Sequence, residues 1–391
     1  MMDYNSVLNK SVLDIKPSGI RKFFDIAETM EDVISLGVGE PDFPTPWNIR
    51  KAGITSLERS KTRYTSNSGL EKLREEIAKY LKRKYSLSYN AKENILVTVG
   101  GSEGIDACIR AIVSPGDEVI IPQPSYVCYE PIATLAGGKP VIIETKAENE
   151  FRVTAEELKA KITPKTKVLI MPYPCNPTGA IMRREDLEKI AEVLKDTNII
   201  VLSDEIYSEL TFGGDKHTSF ASIPGMRERT VIVNGFSKSF SMTGWRLGYV
   251  CGPKEIIKQI TKIHQYAIMC APTTSQYAAI EALRNCDDAV NTMLDEYDSR
   301  RRLIVKGFND LGLTCREPKG AFYAFPCISS TGMTSDEFCE KLLYSQKVAL
   351  VPGTAFGRGG EGFVRASYCY SVEHINEALK RIKLFLNEIE G

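Results

Sequence analysis

Residues 231–250 read VIVNGFSKSFSMTGWRLGYV. Positions 231–234 form a short apolar run rich in β-branched residues, and 247–250 form another, which predicts two buried strands. The loop between them is made of small and apolar residues around one lysine, Lys238. Working back toward the N-terminus, similar runs at 199–203, 168–171, 141–143, 118–121 and 94–99 predict further strands. Amphipathic periodicity predicts helices over 69–84, 102–113 and 183–195. Continuous apolar strands separated by helices predict an α/β fold whose mostly parallel central sheet is flanked by helices on both faces. Beyond residue 253 the pattern turns to long helices, with one over 289–311. Short strands at 321–325 and 363–367 and a closing helix over 372–389 then predict a smaller α+β domain.

Composition narrows the function. Lys+Arg and Asp+Glu both number 50 in 391 residues, so no global field favours nucleic acid or an anionic membrane. Hydrophobic residues make up 43 %, enough to bury a large core. The N-terminal stretch lacks a charged region followed by an apolar one, and no apolar run reaches the roughly 20 residues a spanning helix needs, so a cytoplasmic protein is expected. The 10 cysteines are scattered singly, as reduced core thiols would be. His217, His264 and His374 lie far apart in sequence, and no metal is expected.

In open α/β sheets ligands bind beyond the carboxyl ends of the strands, so the residues just past each strand matter most. After 94–99 comes Gly100-Gly101-Ser102-Glu103-Gly104, opening a helix. Glycines there let backbone N–H groups approach an anion, which the helix N-terminus also favours, although a simple turn would look the same. The strand at 168–171 runs into Pro172 to Gly179, containing Asn176. The one at 199–203 runs into Asp204-Glu205-Ile206-Tyr207. An acidic group at a buried strand end needs a partner, either as a turn cap or against a cationic ligand nitrogen. Lys238 lies beyond 231–234; desolvated there, its pKa would fall and it could act as a Schiff-base nucleophile. A bare GxGxxG at 357–362 runs into a strand rather than a helix, so it lacks the context of a dinucleotide site.

These residues resemble a known family. The segments KPSGIRKFFDIA, ISLGVGEPDFPTP, RYTSNSGLEKLREEIA, NPTG, SDEIY, NGFSKSFSMTGWRLGY, GAFYAF, VPGTAFG and VRASY succeed one another as in the class I/II aminotransferases of pyridoxal-phosphate (PLP) fold type I. Within them the chain is similar to the bacterial and archaeal aspartate/aromatic aminotransferase group. The resemblance implies an N-terminal arm and part of the small domain over 1–45, a large PLP-binding domain over 46–285 and a small domain over 286–391. It implies that Lys238 carries PLP as an internal aldimine and shuttles the substrate proton, that Asp204 binds the ring nitrogen, and that Tyr207 and Asn176 bind the phenolic oxygen. Tyr126 would lie on the ring face. Gly101, Ser102, Ser237 and Arg246 would take the phosphate, with Tyr64 reaching it from the partner subunit of a homodimer. Arg365, with Gly39 and Asn176, would hold the substrate α-carboxylate.

The chain departs from some relatives in having Gly235 where they place a phosphate-binding hydroxyl, which leaves Ser237 to make that contact alone. The implied reaction is transfer of an amino group from an L-amino acid, aromatic or aspartate, to 2-oxoglutarate by a ping-pong route. A C–S β-lyase would share the same residues, whereas a PLP-binding transcription regulator needs a DNA-binding domain for which the chain leaves no room before GVGEPDF. Segment 15–20, Tyr323 and a partner loop are candidates for reading the substrate side chain.

Overall fold

In the computed structural model, which describes residues 2–17, 19 and 30–390, the apolar runs become strands in the expected order. The strands are β1 (Ile34–Ser35), β2 (Ile95–Thr98), β3 (Glu118–Gln123), β4 (Lys139–Glu144), β5 (Thr166–Met171) and β6 (Ile200–Asp204), followed by β7 (Thr230–Gly235), β8 (Gly248–Cys251), β9 (Tyr323–Ala324), β10 (Val348–Ala349), β11 (Val351–Pro352) and β12 (Val364–Ser367); β1, β10 and β11 are additions to the expected set. Seven of them form one sheet in the order β2-β8-β7-β6-β5-β3-β4. All run the same way except β8, which is antiparallel to both neighbours. The cause is the short link from β7. Residues 236–247 hold no crossover helix, so the chain turns back beside the strand it left, with Gly235 paired to Gly248 at the base of the loop.

Alternation along the strands divides the core. Leu96, Val233, Val250, Val168 and Ile170 pack into one cluster with the helix α1 (Gly100–Ile112). On the opposite face, Ile95, Val97, Ile232, Tyr249 and Cys251 join a second cluster, and Leu169 and Met171 a third. Both faces are therefore covered, which is why the strands read as continuous apolar runs. Each such fully buried aliphatic side chain contributes about 1.5–3 kcal/mol.

The C-terminal part builds a three-stranded antiparallel sheet, β11-β12-β9, beside a parallel pair, β1-β10. Helices α2 (Asp287–Asp310), α3 (Ser335–Gln346) and α4 (Val372–Glu390) pack around them. Ile34 and Ser35 pair with Val348 and Ala349, so a segment near the N-terminus completes this unit.

Two expectations are refined. The helix expected from residue 102 begins at Gly100, so the glycine pair forms its first turn instead of preceding it. The strand at 141–143 extends to Lys139–Glu144 at the edge of the sheet. Ser18 and Ile20 of the 15–20 segment, and most of KPSGIRKFFDIA, lie outside the described residues.

Candidate active site

Five chain segments converge on one edge of the large sheet, each just beyond a strand end or, for β8, just before its start. They carry Gly101 and Ser102 after β2, Tyr126 after β3, Asn176 after β5, Tyr207 after β6 and Ser237-Lys238 after β7; Asp204 is the last residue of β6 and Arg246 precedes β8. These residues line a single cavity of about 350 Å³. Gly39 joins it from the N-terminal segment, and Tyr323 and Arg365 from the antiparallel sheet. Of the expected site residues, Tyr64 alone is not brought there within one chain; it is 81 % exposed.

Gly248 explains how the helix N-terminus reaches the cavity edge. A Cβ at this position would stand 2.7 Å from the Gly100 carbonyl carbon and 2.8 Å from the Gly101 nitrogen. Only glycine allows the first turn of α1 to lie directly on the start of β8. Arg246, in left-handed backbone at φ +48, reaches over the same turn, with Nη2 2.7 Å from where a Gly100 Cβ would be.

Lys238 is partly buried, and its Nζ donates to the Gly39 carbonyl at 2.6 Å. Burial lowers its pKa from 10.5 to about 8, against the attraction of Glu40, with the Arg365 and Arg246 charges adding to the fall. Asp204, 6 % exposed, is shifted the other way. Burial raises its carboxyl pKa from 3.8 to about 6, although the Tyr129 hydroxyl donates to Oδ2 at 2.7 Å and the Ile206 amide to Oδ1 at 3.2 Å. The Tyr207 and Tyr323 hydroxyls lie 2.8 Å apart, and burial pushes the pKa values of both up. A Cβ on Gly39 would come within 1.9 Å of the Tyr323 hydroxyl, so that position must stay bare.

Arg365 is 3 % exposed. Its guanidinium lies between the rings of Tyr323 and Phe356, 4.5 and 4.7 Å from their centroids. Nη1 donates to Asn176 Oδ1 at 2.8 Å, Nη2 donates to the Gly37 carbonyl, and Nε is buried without a partner. Arg246 Nη1 donates to the Thr243 carbonyl at 3.0 Å. Three cations thus face one cavity with neutral oxygens as hydrogen-bond partners, and among the described residues no carboxylate pairs with any of them. A buried guanidinium with an orphan N–H calls for an anion. The helix N-terminus and Arg246 suit a phosphate at one side of the cavity, Arg365 suits a carboxylate at the other, and the buried Asp204 suits a cationic nitrogen between them. The donor set therefore fits pyridoxal phosphate together with an amino acid. Among the described residues no group of three or more His, Cys, Asp or Glu is placed to hold a metal, and no helix is long and apolar enough to cross a membrane.

The lowered lysine pKa has a measurable consequence. Only the neutral amine attacks a carbonyl, so in the ligand-free protein capture of a carbonyl reagent at Lys238 is expected to rise with pH and level off above about 8, where an ordinary lysine keeps gaining toward 10.5. A rate profile with its midpoint near 10.5 would contradict the burial argument. The unfolded chain keeps that proton to a higher pH than the folded one. Lys238 therefore adds stability to the ligand-free fold as pH climbs from about 8 to 10.5.

Tyr129 is the site residue that sequence reasoning missed. It begins a short helix, Tyr129–Leu135, three residues beyond Tyr126, and packs edge-on to Tyr126 with centroids 5.9 Å apart. Its role rests on a hydroxyl directed at Asp204, 75 positions along the chain, which no local pattern announces. Gly37 and Thr243 also line the cavity, with no sequence signal of their own.

Comparison with known proteins shows what the chain is similar to. Residues 31–382 match the family model for aminotransferase class I and II. The chain is 48 % identical to an aspartate aminotransferase of Pyrococcus abyssi, over 96 % of this chain and 97 % of the relative. It is 44 % identical to an aromatic-amino-acid aminotransferase of Thermococcus litoralis, again over 96 % and 97 %. A crystal structure of an aromatic aminotransferase from Pyrococcus horikoshii superposes with a TM-score of 0.90 at 45 % identity, covering 94 % of this chain and 99 % of that one.

Proposed function

Because the chain belongs to the class I and II aminotransferases, and is thus a pyridoxal-phosphate enzyme of fold type I acting on small molecules, we propose that it moves the α-amino group of an L-aromatic amino acid or L-aspartate to 2-oxoglutarate, donor and acceptor taking turns in the same site. The observation that carries this reading is the trio of cations, Lys238, Arg246 and Arg365, that have no carboxylate partner among the described residues and stand around one cavity that ends on Asp204.

When bound, pyridoxal phosphate supplies an electron sink for negative charge at the substrate α-carbon. The Gly101 and Ser102 amides, the Ser237 hydroxyl and Arg246 hold its phosphate. Asp204 holds the ring nitrogen, Tyr207 and Asn176 the phenolic oxygen, and Tyr126 the ring face. Lys238 would hold the cofactor covalently, and its amine, once free, would move the proton at the substrate α-carbon. Its lowered pKa keeps a useful fraction of the amine neutral near pH 8. Tyr129 keeps Asp204 oriented, and its hydrogen bond opposes the rise in pKa that burial imposes.

Arg365 clamps the substrate α-carboxylate beside Gly39 and Asn176. That clamp also fixes which bond to the α-carbon faces Lys238, and so favours removal of the hydrogen over loss of the carboxylate. Tyr64 completes the phosphate site from the partner of a homodimer. Its exposure, beside the exposed Met269 that the Asn67 side chain ties to the same loop, supports pairing there. On this reading residues 1–45 form an arm and part of the small domain, 46–285 the large domain and 286–391 the rest of the small domain.

A panel of amino donors assayed against 2-oxoglutarate tests the proposal. Glutamate and the matching oxo acid are expected from aromatic donors or aspartate, with parallel double-reciprocal plots. Pyruvate and ammonia from cystathionine, with no glutamate formed from any donor, would overturn it.

A further inference from the structure

Glu103 stands where a phosphate site should not tolerate it. It comes directly after Gly101 and Ser102 in the first turn of α1, so a free carboxylate there would repel the anion those amides are placed to bind. Both its oxygens are instead engaged. Oε2 accepts the Val99 amide at 2.5 Å, and Oε1 lies 2.6 Å from His264 Nδ1. A carboxylate only accepts, so Nδ1 carries the hydrogen of this bond.

His264 is fully buried, near the end of the helix α5 (Lys254–Ala267), which packs along α1. Its backbone carbonyl accepts the Ile268 and Met269 amides at 2.8 and 3.0 Å, so the ring projects from a closed helix end. Capping Val99 requires one carboxylate oxygen; the histidine occupies the second.

We propose that His264 is a positioning residue for the cofactor's phosphate: it draws the Glu103 charge back from the cradle and holds it there, leaving the Gly101 and Ser102 amides free to meet the anion. This rests on the phosphate placement proposed above. It predicts that the affinity of the protein for pyridoxal phosphate depends on the histidine only while residue 103 is charged.

The test is equilibrium binding of pyridoxal phosphate to the ligand-free protein, followed by absorbance, with melting temperatures recorded alongside. His264→Leu keeps the bulk and removes the donor, and is expected to weaken binding about tenfold. Glu103→Gln in the His264→Leu background is expected to restore affinity to within about threefold of the parent, because the charge that needed restraining is gone. His264→Asn, which keeps a donor near the Nδ1 position, is expected to bind like the parent and serves if His264→Leu does not fold.

Parent-like binding by His264→Leu would overturn the inference. So would a double variant as weak as the single one, since a merely structural role for the histidine predicts that result. A His264→Asn protein that melts like the parent yet binds about tenfold more weakly would count the same way. Arg246→Ala is the control for the underlying placement: if it leaves affinity unchanged, the phosphate lies elsewhere and the inference falls with that placement, whereas weakening by Arg246→Ala but not by His264→Leu refutes the histidine's role alone.

Discussion

Replacing Lys238 by alanine is expected to lower the rate of amino transfer by at least about 10⁴-fold, measured as glutamate formed from 2-oxoglutarate under saturating donor. A positioned general base accounts for about 10²–10⁴ of rate by itself, and loss of the covalent anchor adds to that. Two features concentrate this function in one atom. Among the described residues the Lys238 amine is the sole lysine nitrogen lining the cavity, and burial gives it a pKa of about 8, so it can both hold and release a proton under working conditions. The variant should keep its fold, because removing a partly buried cation whose partner is a backbone carbonyl relieves a desolvation cost. It should also lose the borohydride-reducible bond between protein and cofactor. Partial rescue by a small primary amine in the buffer would identify the missing group as the amine itself; activity within tenfold of the parent would remove Lys238 from the mechanism.

Arg365→Ala is the second large effect, with kcat/KM expected to fall by about 10²–10³-fold for amino acid donors. Truncating one partner of a buried, hydrogen-bonded charge pair costs about 2–5 kcal/mol, and each 1.4 kcal/mol is a factor of ten. The loss should appear in kcat as well as KM, since a clamp placed as proposed would orient the α-carbon besides binding the substrate. Arg365→Lys should recover little. The planar fork sits between the Tyr323 and Phe356 rings and meets Asn176 with one nitrogen, a shape an ammonium cannot reproduce. The signature that separates this role from a packing defect is the substrate: an amine lacking a carboxylate should react equally with parent and variant. If the variant loses the same factor on both substrates, the clamp is misassigned.

Much of the fold and site is legible in the sequence because the chemistry stands at strand ends. The buried strands announce themselves as apolar runs, and Asp204, Lys238 and the Gly100-Gly101 pair each stand at or just past the end of such a run. Other features have no local signal. Strands β1, β10 and β11 are two residues long, too short for any alternation to show, so the joining of Ile34–Ser35 to the C-terminal part appears only in three dimensions. Tyr129 and the Glu103–His264 pair depend on partners 75 and 161 positions away. Their spacing carries no periodic pattern, and each residue alone reads as an ordinary member of a helix. Local reading starts α1 two residues late because a glycine pair suggests a turn. Packing against the bare Gly248 allows the helix to begin with it.

The reversed strand β8 has a further consequence. Ser237, Lys238 and Arg246 lie on one closed loop whose two ends, Gly235 and Gly248, are zipped together inside the large sheet, whereas Arg365 and Tyr323 stand on a different sheet. On the assignments above, the tether and two of the phosphate contacts lie on this loop, and the guanidinium of the substrate clamp lies on the other sheet. The two parts meet where the Tyr207 and Tyr323 hydroxyls lie 2.8 Å apart and where Arg365 donates to Asn176. A substitution on the smaller sheet that spares those two contacts is therefore expected to change the hold on the amino acid while leaving the loop that carries Lys238 as it is.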